Sequence, residues 1–192
     1  QRRRRTAWIA AAVTASALAS ASSLAPEVFA GQTVLAQAPW IPSLGLNLHF
    51  RLDGLALMFV WLITGIGLLI ILYASYYLGP GDSLGKFNAQ LMLFMAAMLG
   101  VALSDNLLLL VVFWELTSLS SFLLVGYWGH KAEARAGARM ALAVTGGGGL
   151  VLLAGVLVLG RIAGTYDLSV MLAQPQLIAA IQADARYPLM LC

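Results

Sequence analysis

Asn106-Leu-Leu-Leu-Leu-Val-Val-Phe-Trp-Glu-Leu-Thr-Ser-Leu-Ser-Ser-Phe-Leu-Leu-Val-Gly-Tyr-Trp128 is long and apolar enough to cross a bilayer, and it carries one charged side chain, Glu115. A membrane span needs about 20 mostly apolar residues. A carboxylate at that depth costs roughly 2.5–3.5 kcal/mol on insertion scales. Such residues are kept chiefly for proton or ion relays. Glu115 lies eight residues from Leu107, so a helix places it ~12 Å from that end. Ser118, three residues on, falls on the same helical face. Thr117, Ser120 and Ser121 add hydroxyls that can hold water. The alternative is a neutral carboxyl that ties helices together by hydrogen bonds.

The rest of the chain agrees with a membrane setting. Of 192 residues, 61% are hydrophobic and 10% charged, against about 25% charged in a soluble domain. The reading is an all-α membrane protein: a polytopic transmembrane helical bundle with a short extracytoplasmic β-hairpin. Expected spans cover about 7–24, 54–78, 87–104, 107–128, 140–160 and 187 onward, all within one transmembrane domain. The first run, Ala/Ser-rich after Arg2–Arg5, also has a signal-peptide reading. The chain has no initiator Met and ends inside an apolar run, so a longer protein is expected. Cys192 is the single cysteine, which excludes an internal disulfide. A net charge of +3, held in short clusters between apolar runs, points to topology signals rather than to nucleic acid.

Those clusters orient the bundle. With Arg2–Arg5 in the cytoplasm, Lys86, Lys131, Arg135 and Arg139 also face inward, while Arg51, Arg161 and Arg186 face outward. Eight against three of the 11 basic residues satisfies the positive-inside rule. No Lys or Arg then shares the depth of Glu115. A carboxylate that both holds and releases a proton needs a cation whose approach favours the ionised form. That partner is expected outside this chain.

Leu44, Leu46, Leu48, Phe50 and Leu52 alternate with Gly45, Asn47, His49, Arg51 and Asp53. Period-two patterning predicts a half-buried strand, with a hairpin over about 40–53 and His49 on its solvated side. Asp105-Asn106 predicts a tight turn or helix cap, and Asp105 is also a candidate proton exit. His130 and Lys131 are candidates for proton entry, histidine being the side chain whose charge changes near neutral pH. Gly146, Gly147, Gly148 and Gly149 predict either close helix packing or a locally unwound helix. The sequence has no phosphate loop, metal-ligand cluster or nucleophile–base set. Neither a cofactor nor a metal is expected.

Three stretches resemble one family. Phe50-Arg-Leu-Asp-Gly-Leu55, Tyr73-Ala-Ser-Tyr-Tyr77 and Asp105-Asn-Leu-Leu-Leu-Leu110 with Trp114-Glu-Leu-Thr-Ser-Leu-Ser-Ser121 are similar to the antiporter-like subunits of respiratory complex I and of Mrp multisubunit cation/proton antiporters. Arg135-Ala-Gly-Ala-Arg139, Val144-Thr-Gly-Gly-Gly-Gly-Leu150 and Gly164-Thr-Tyr-Asp-Leu-Ser169 resemble the large A subunit of the Mrp type. The corresponding complex I subunit carries Arg and Asp near Gly146 and Gly149, where this chain has glycine. The resemblance implies a many-helix subunit in which Glu115 pairs with a Lys just beyond Cys192. It implies a secondary transporter subunit rather than an enzyme, one that lets protons in to drive Na⁺ or another monovalent cation out. Its implied partners are further subunits of a plasma (inner) membrane complex and the lipid bilayer. The alternatives are a proton-pumping subunit of a redox complex and a purely structural membrane subunit.

Overall fold

Helix follows helix wherever the sequence is rich in Leu, Ile and Ala. The computed structural model describes residues 2–79 and 81–190. The elements run α1 (Arg2–Ser23), α2 (Ala25–Phe29), β1 (Val34–Ile41), β2 (Leu46–Leu52), α3 (Gly54–Tyr77), α4 (Leu84–Leu103), α5 (Leu107–Val125) and α6 (Ala132–Ala163). Three short helices follow: α7 (Leu168–Leu172), α8 (Pro175–Ala183) and α9 (Tyr187–Met190). Side-chain caps start α3, α4 and α5, each satisfying a free backbone N–H. Asp53 Oδ1 accepts from Ala56 N at 2.9 Å, Ser83 Oγ from Lys86 N at 3.4 Å and Asn106 Oδ1 from Leu109 N at 3.2 Å. Gly164, at φ 70°, ends α6 in the left-handed cap that glycine favours.

Among the described residues α3, α4, α5 and α6 are each long and apolar enough to cross a membrane. Their outward faces are studded with exposed Leu62, Leu69, Leu72, Leu119, Leu150 and Val151. Water would disfavour so large an apolar belt. In α6 only 11% of the apolar window is buried, so that helix presents most of its surface outward. α3 packs on α4, α4 on α5 and α5 on α6, while α1 lies along α3 and α4. α1 covers the first expected span, 7–24, with Ala10 and Thr14 buried, but it is not among the helices apolar enough to cross a membrane.

Several boundaries differ from the sequence expectation. α5 stops at Val125, and 126–131 form the turn to α6. α6 begins at Ala132, eight residues before the expected 140, because Ala-rich sequence with scattered charge still favours helix. The segment 161–186 is not a loop but the end of α6 followed by α7 and α8. Where the last span is expected, a four-residue helix, α9, covers Tyr187–Met190; residues 191–192, Cys192 included, lie outside the described residues.

The hairpin is also longer than expected. β1 and β2 pair antiparallel from Val34↔Leu52 to Ile41↔Leu46, with the register shifting between Ala38 and Ile41. Pro39 sits in that irregularity, where its missing N–H breaks no ladder bond. β1 escapes a pattern search because it is exposed along nearly its whole length. It has no buried face to impose alternation.

Candidate functional site

α5 carries Glu115 as the ninth of its 19 residues, the middle of the helix. The side chain reaches α6 at Gly149. A β-carbon placed on Gly149 would overlap Glu115 Oε1 and stand 3.3 Å from Trp114 Cδ1. Only hydrogen at that position leaves room for the carboxyl. Oε1 is buried and has no hydrogen-bond partner among the described residues, nor does Glu115 form a salt bridge among them. A buried polar oxygen without a partner is rare in native proteins and calls for an explanation.

Among the described residues the glycine run makes a close approach at one position. α6 is helical without interruption through Gly146–Gly149, so the unwinding alternative is not what the fold adopts. β-carbons at Gly146, Gly147 and Gly148 would meet nothing within 4 Å. Among the described residues, close packing within the run belongs to Gly149.

Ser118 is buried one turn along the same face of α5, but its Oγ bonds back to Trp114 O at 3.4 Å. Thr117 Oγ1 donates to Trp114 O at 2.7 Å and Ser120 Oγ to Leu116 O at 2.7 Å. Hydroxyls on a helix commonly turn back this way, and none of these three bonds reaches Glu115. α4 adds a second unpartnered group that sequence reading passed over. Asn88 is buried with both amide atoms lacking a hydrogen bond among the described residues.

A polar assembly closes the hairpin end of the bundle, ten residues and ~15 Å of helix from Glu115. The α4–α5 turn threads between β2 and the 166–168 segment. Asp105 N donates to His49 O, Leu168 N to Asp105 O and Leu107 N to Tyr166 O, each at 2.8 Å. Asp105 is not the cap of α5, which is Asn106; it is buried and accepts from both the N–H and the Oγ of Ser169. His49 is corrected from solvated to half-buried, with Nδ1 3.0 Å from Asp167 Oδ1. That oxygen also accepts from Asn106 Nδ2 at 2.8 Å, while the same amide donates to Gly45 O at 2.9 Å. Arg51 bonds Asp53 at 2.6 Å and reaches Asp105 at 4.0 Å. The Tyr166 ring lies against Gly160 and Gly45, where β-carbons would strike it. Asp167 and Tyr166 were missed as site residues, although both lie within the Gly164–Ser169 motif.

At the opposite end His130 is exposed, and Lys131 Nζ stands 4.9 Å over the Trp128 ring. Trp128 Nε1 in turn donates to Asp82 Oδ1 at 3.0 Å. No chain of hydrogen bonds among the described residues joins either end to Glu115.

Two family models match this chain: complex I chain 5 N-terminus over residues 40–88, and the NADH:quinone oxidoreductase/Mrp antiporter transmembrane region over 104–190. The chain belongs to the antiporter-like family of membrane subunits. Within this family it is 49% identical over 166 residues to a probable K⁺/H⁺ antiporter A/B subunit of Rhizobium meliloti, covering 86% of this chain and 17% of that one. It is 50% identical over 131 residues to the A subunit of the Na⁺/H⁺ antiporter of Alkalihalophilus pseudofirmus, covering 68% and 16%. The Mrp complex of Dietzia superposes with a TM-score of 0.70 at 30% identity, over 94% of this chain and 22% of that one. An archaeal membrane-bound sulfane sulfur reductase shares the fold, with a TM-score of 0.73 at 22% identity over 91% and 36%. The chain thus spans between 16% and 36% of the length of these relatives. With four apolar helices among its described residues, this antiporter-like chain is a multi-pass membrane protein.

Proposed function

We propose that this chain is part of a subunit that couples proton entry to the export of a monovalent cation, with Glu115 as the intramembrane proton acceptor. The observation that carries the proposal is the Glu115 carboxyl itself: mid-helix, seated on Gly149, with Oε1 unpartnered among the described residues. A structural carboxyl would satisfy its oxygens against a neighbouring helix, since an unmade buried bond costs about 1–3 kcal/mol. An acceptor that takes up a proton and gives it away is better served by an oxygen left free. Its alternating partner is a cation supplied from outside the described residues.

The cargo is a monovalent cation, Na⁺ or K⁺; both ions stand in the names of similar proteins. The working unit is a multisubunit complex in the plasma membrane, with the hairpin outside and the Lys131 turn in the cytoplasm. The test uses vesicles containing the complete complex and no redox substrate. Addition of Na⁺ or K⁺ should release protons across the membrane. If proton movement requires an electron donor instead, the subunit serves a redox pump and the antiport reading is lost.

A further inference from the structure

A cavity of about 270 Å³ opens between α4, α5 and α6 at the end of the bundle opposite the hairpin. Lys86 comes from α4, and Arg135 and Arg139 come from the first turns of α6. Phe122 and Leu123 of α5 supply an apolar wall. No carboxylate lines the cavity among the described residues. Gln90, also in its lining, has a buried Oε1 with no hydrogen-bond partner among the described residues. Topology signals alone need cations near the helix ends; they do not need three of them, from two helices, around one hollow that also holds an unsatisfied amide.

We propose that this cavity binds the phosphate headgroup of an anionic phospholipid. The site is amphipathic in the sense that such a lipid requires, with cations at the rim and hydrocarbon below. It lies where membrane-crossing helices meet the headgroup layer, and basic pockets between such helices are suited to anionic heads. A wholly water-soluble anion would gain nothing from Phe122 and Leu123. The guanidinium of Arg135 is already positioned, since Nη1 donates to Gly129 O at 2.8 Å and to His130 O at 3.2 Å. A fork held this way leaves its remaining N–H groups for a phosphate. Such a lipid would bridge α4 to α6 over the end of α5, and the inference stands whatever ion the subunit moves.

The experiment uses the complete purified complex in detergent. Phosphatidylglycerol, phosphatidylcholine and inorganic phosphate are each added, and bound lipid is read by native mass spectrometry alongside the unfolding temperature. Phosphatidylglycerol alone should be retained and should raise the unfolding temperature. Arg139→Gln should weaken retention roughly fivefold, the effect of one cation near a membrane surface. Lys86→Gln with Arg139→Gln should weaken it further, and Arg139→Lys should largely preserve it. If the double variant does not assemble, Arg139→Gln against Arg139→Lys still decides. Equal retention of phosphatidylcholine, equal protection by inorganic phosphate, or unchanged retention in Arg139→Gln would each overturn the proposal.

Discussion

Glu115 and Gly149 face each other across the α5–α6 interface so closely that a β-carbon on Gly149 would occupy the space of Glu115 Oε1. Gly149→Ala must therefore displace the carboxyl or part the helices. Overpacking of this kind costs about 1–3 kcal/mol. Antiport should fall severely in Gly149→Ala and stay near normal in Gly147→Ala, whose β-carbon meets nothing within 4 Å. Proton flux in vesicles, normalised to assembled complex, checks this. Equal effects at the two positions would remove the special role of Gly149.

Asp53 caps α3 and pairs with Arg51. Desolvation pushes its carboxyl up, but the Ala56 N–H and the Arg51 guanidinium more than offset this and hold it below the usual 3.8. A group whose folded-state value is depressed stabilises the fold fully above its unfolded value. That contribution is lost as the pH falls through the folded value. The start of α3 should be unaffected by titration from pH 7 to about 5 and loosen below about 4. Asp53→Ala should cost about 0.5–2 kcal/mol at neutral pH, read as a lower unfolding temperature, and should abolish the acid dependence.

Asp167 gathers His49 and Asn106 onto one oxygen. Asp167→Ala leaves both without that acceptor, at a cost of about 1–3 kcal/mol. Amide exchange over 34–52 should speed up, while exchange in α3 should change little. Asp167→Asn retains an acceptor and should show a smaller effect.

Orientation is checked by cysteine labelling in a Cys192→Ser background. Gln37→Cys in β1 and His130→Cys in the α5–α6 turn both place a thiol at an exposed position. An impermeant reagent added outside should label the first and spare the second. The reverse pattern would invert the topology.

The parts legible in the sequence are those with a uniform physical demand. α3 and α5 are rich in Leu, Ile, Val and Phe with almost no charge, and a bilayer imposes that directly. β2 showed because its residues are half-buried, whereas β1, exposed nearly throughout, gave no signal. Which glycine matters was hidden, because successive helical residues point about 100° apart and only packing selects Gly149. The His49–Asp167 pair was hidden for another reason. Its members are 118 residues apart, and no local pattern joins them. Glu115 was legible because a charge within an apolar run stands out, but its fit against α6 was not.

Replacing Glu115 with Gln keeps the size of the side chain and its ability to hydrogen-bond while removing the exchangeable carboxyl proton. The decisive measurement is cation-driven proton flux by the complete complex in vesicles, with Glu115→Gln compared with wild type and Glu115→Asp as a shortened but ionisable control. Flux should be lost in Glu115→Gln with normal assembly, and partly kept in Glu115→Asp. Wild-type flux in Glu115→Gln would rule out the proton-acceptor role and leave Glu115 as a packing residue.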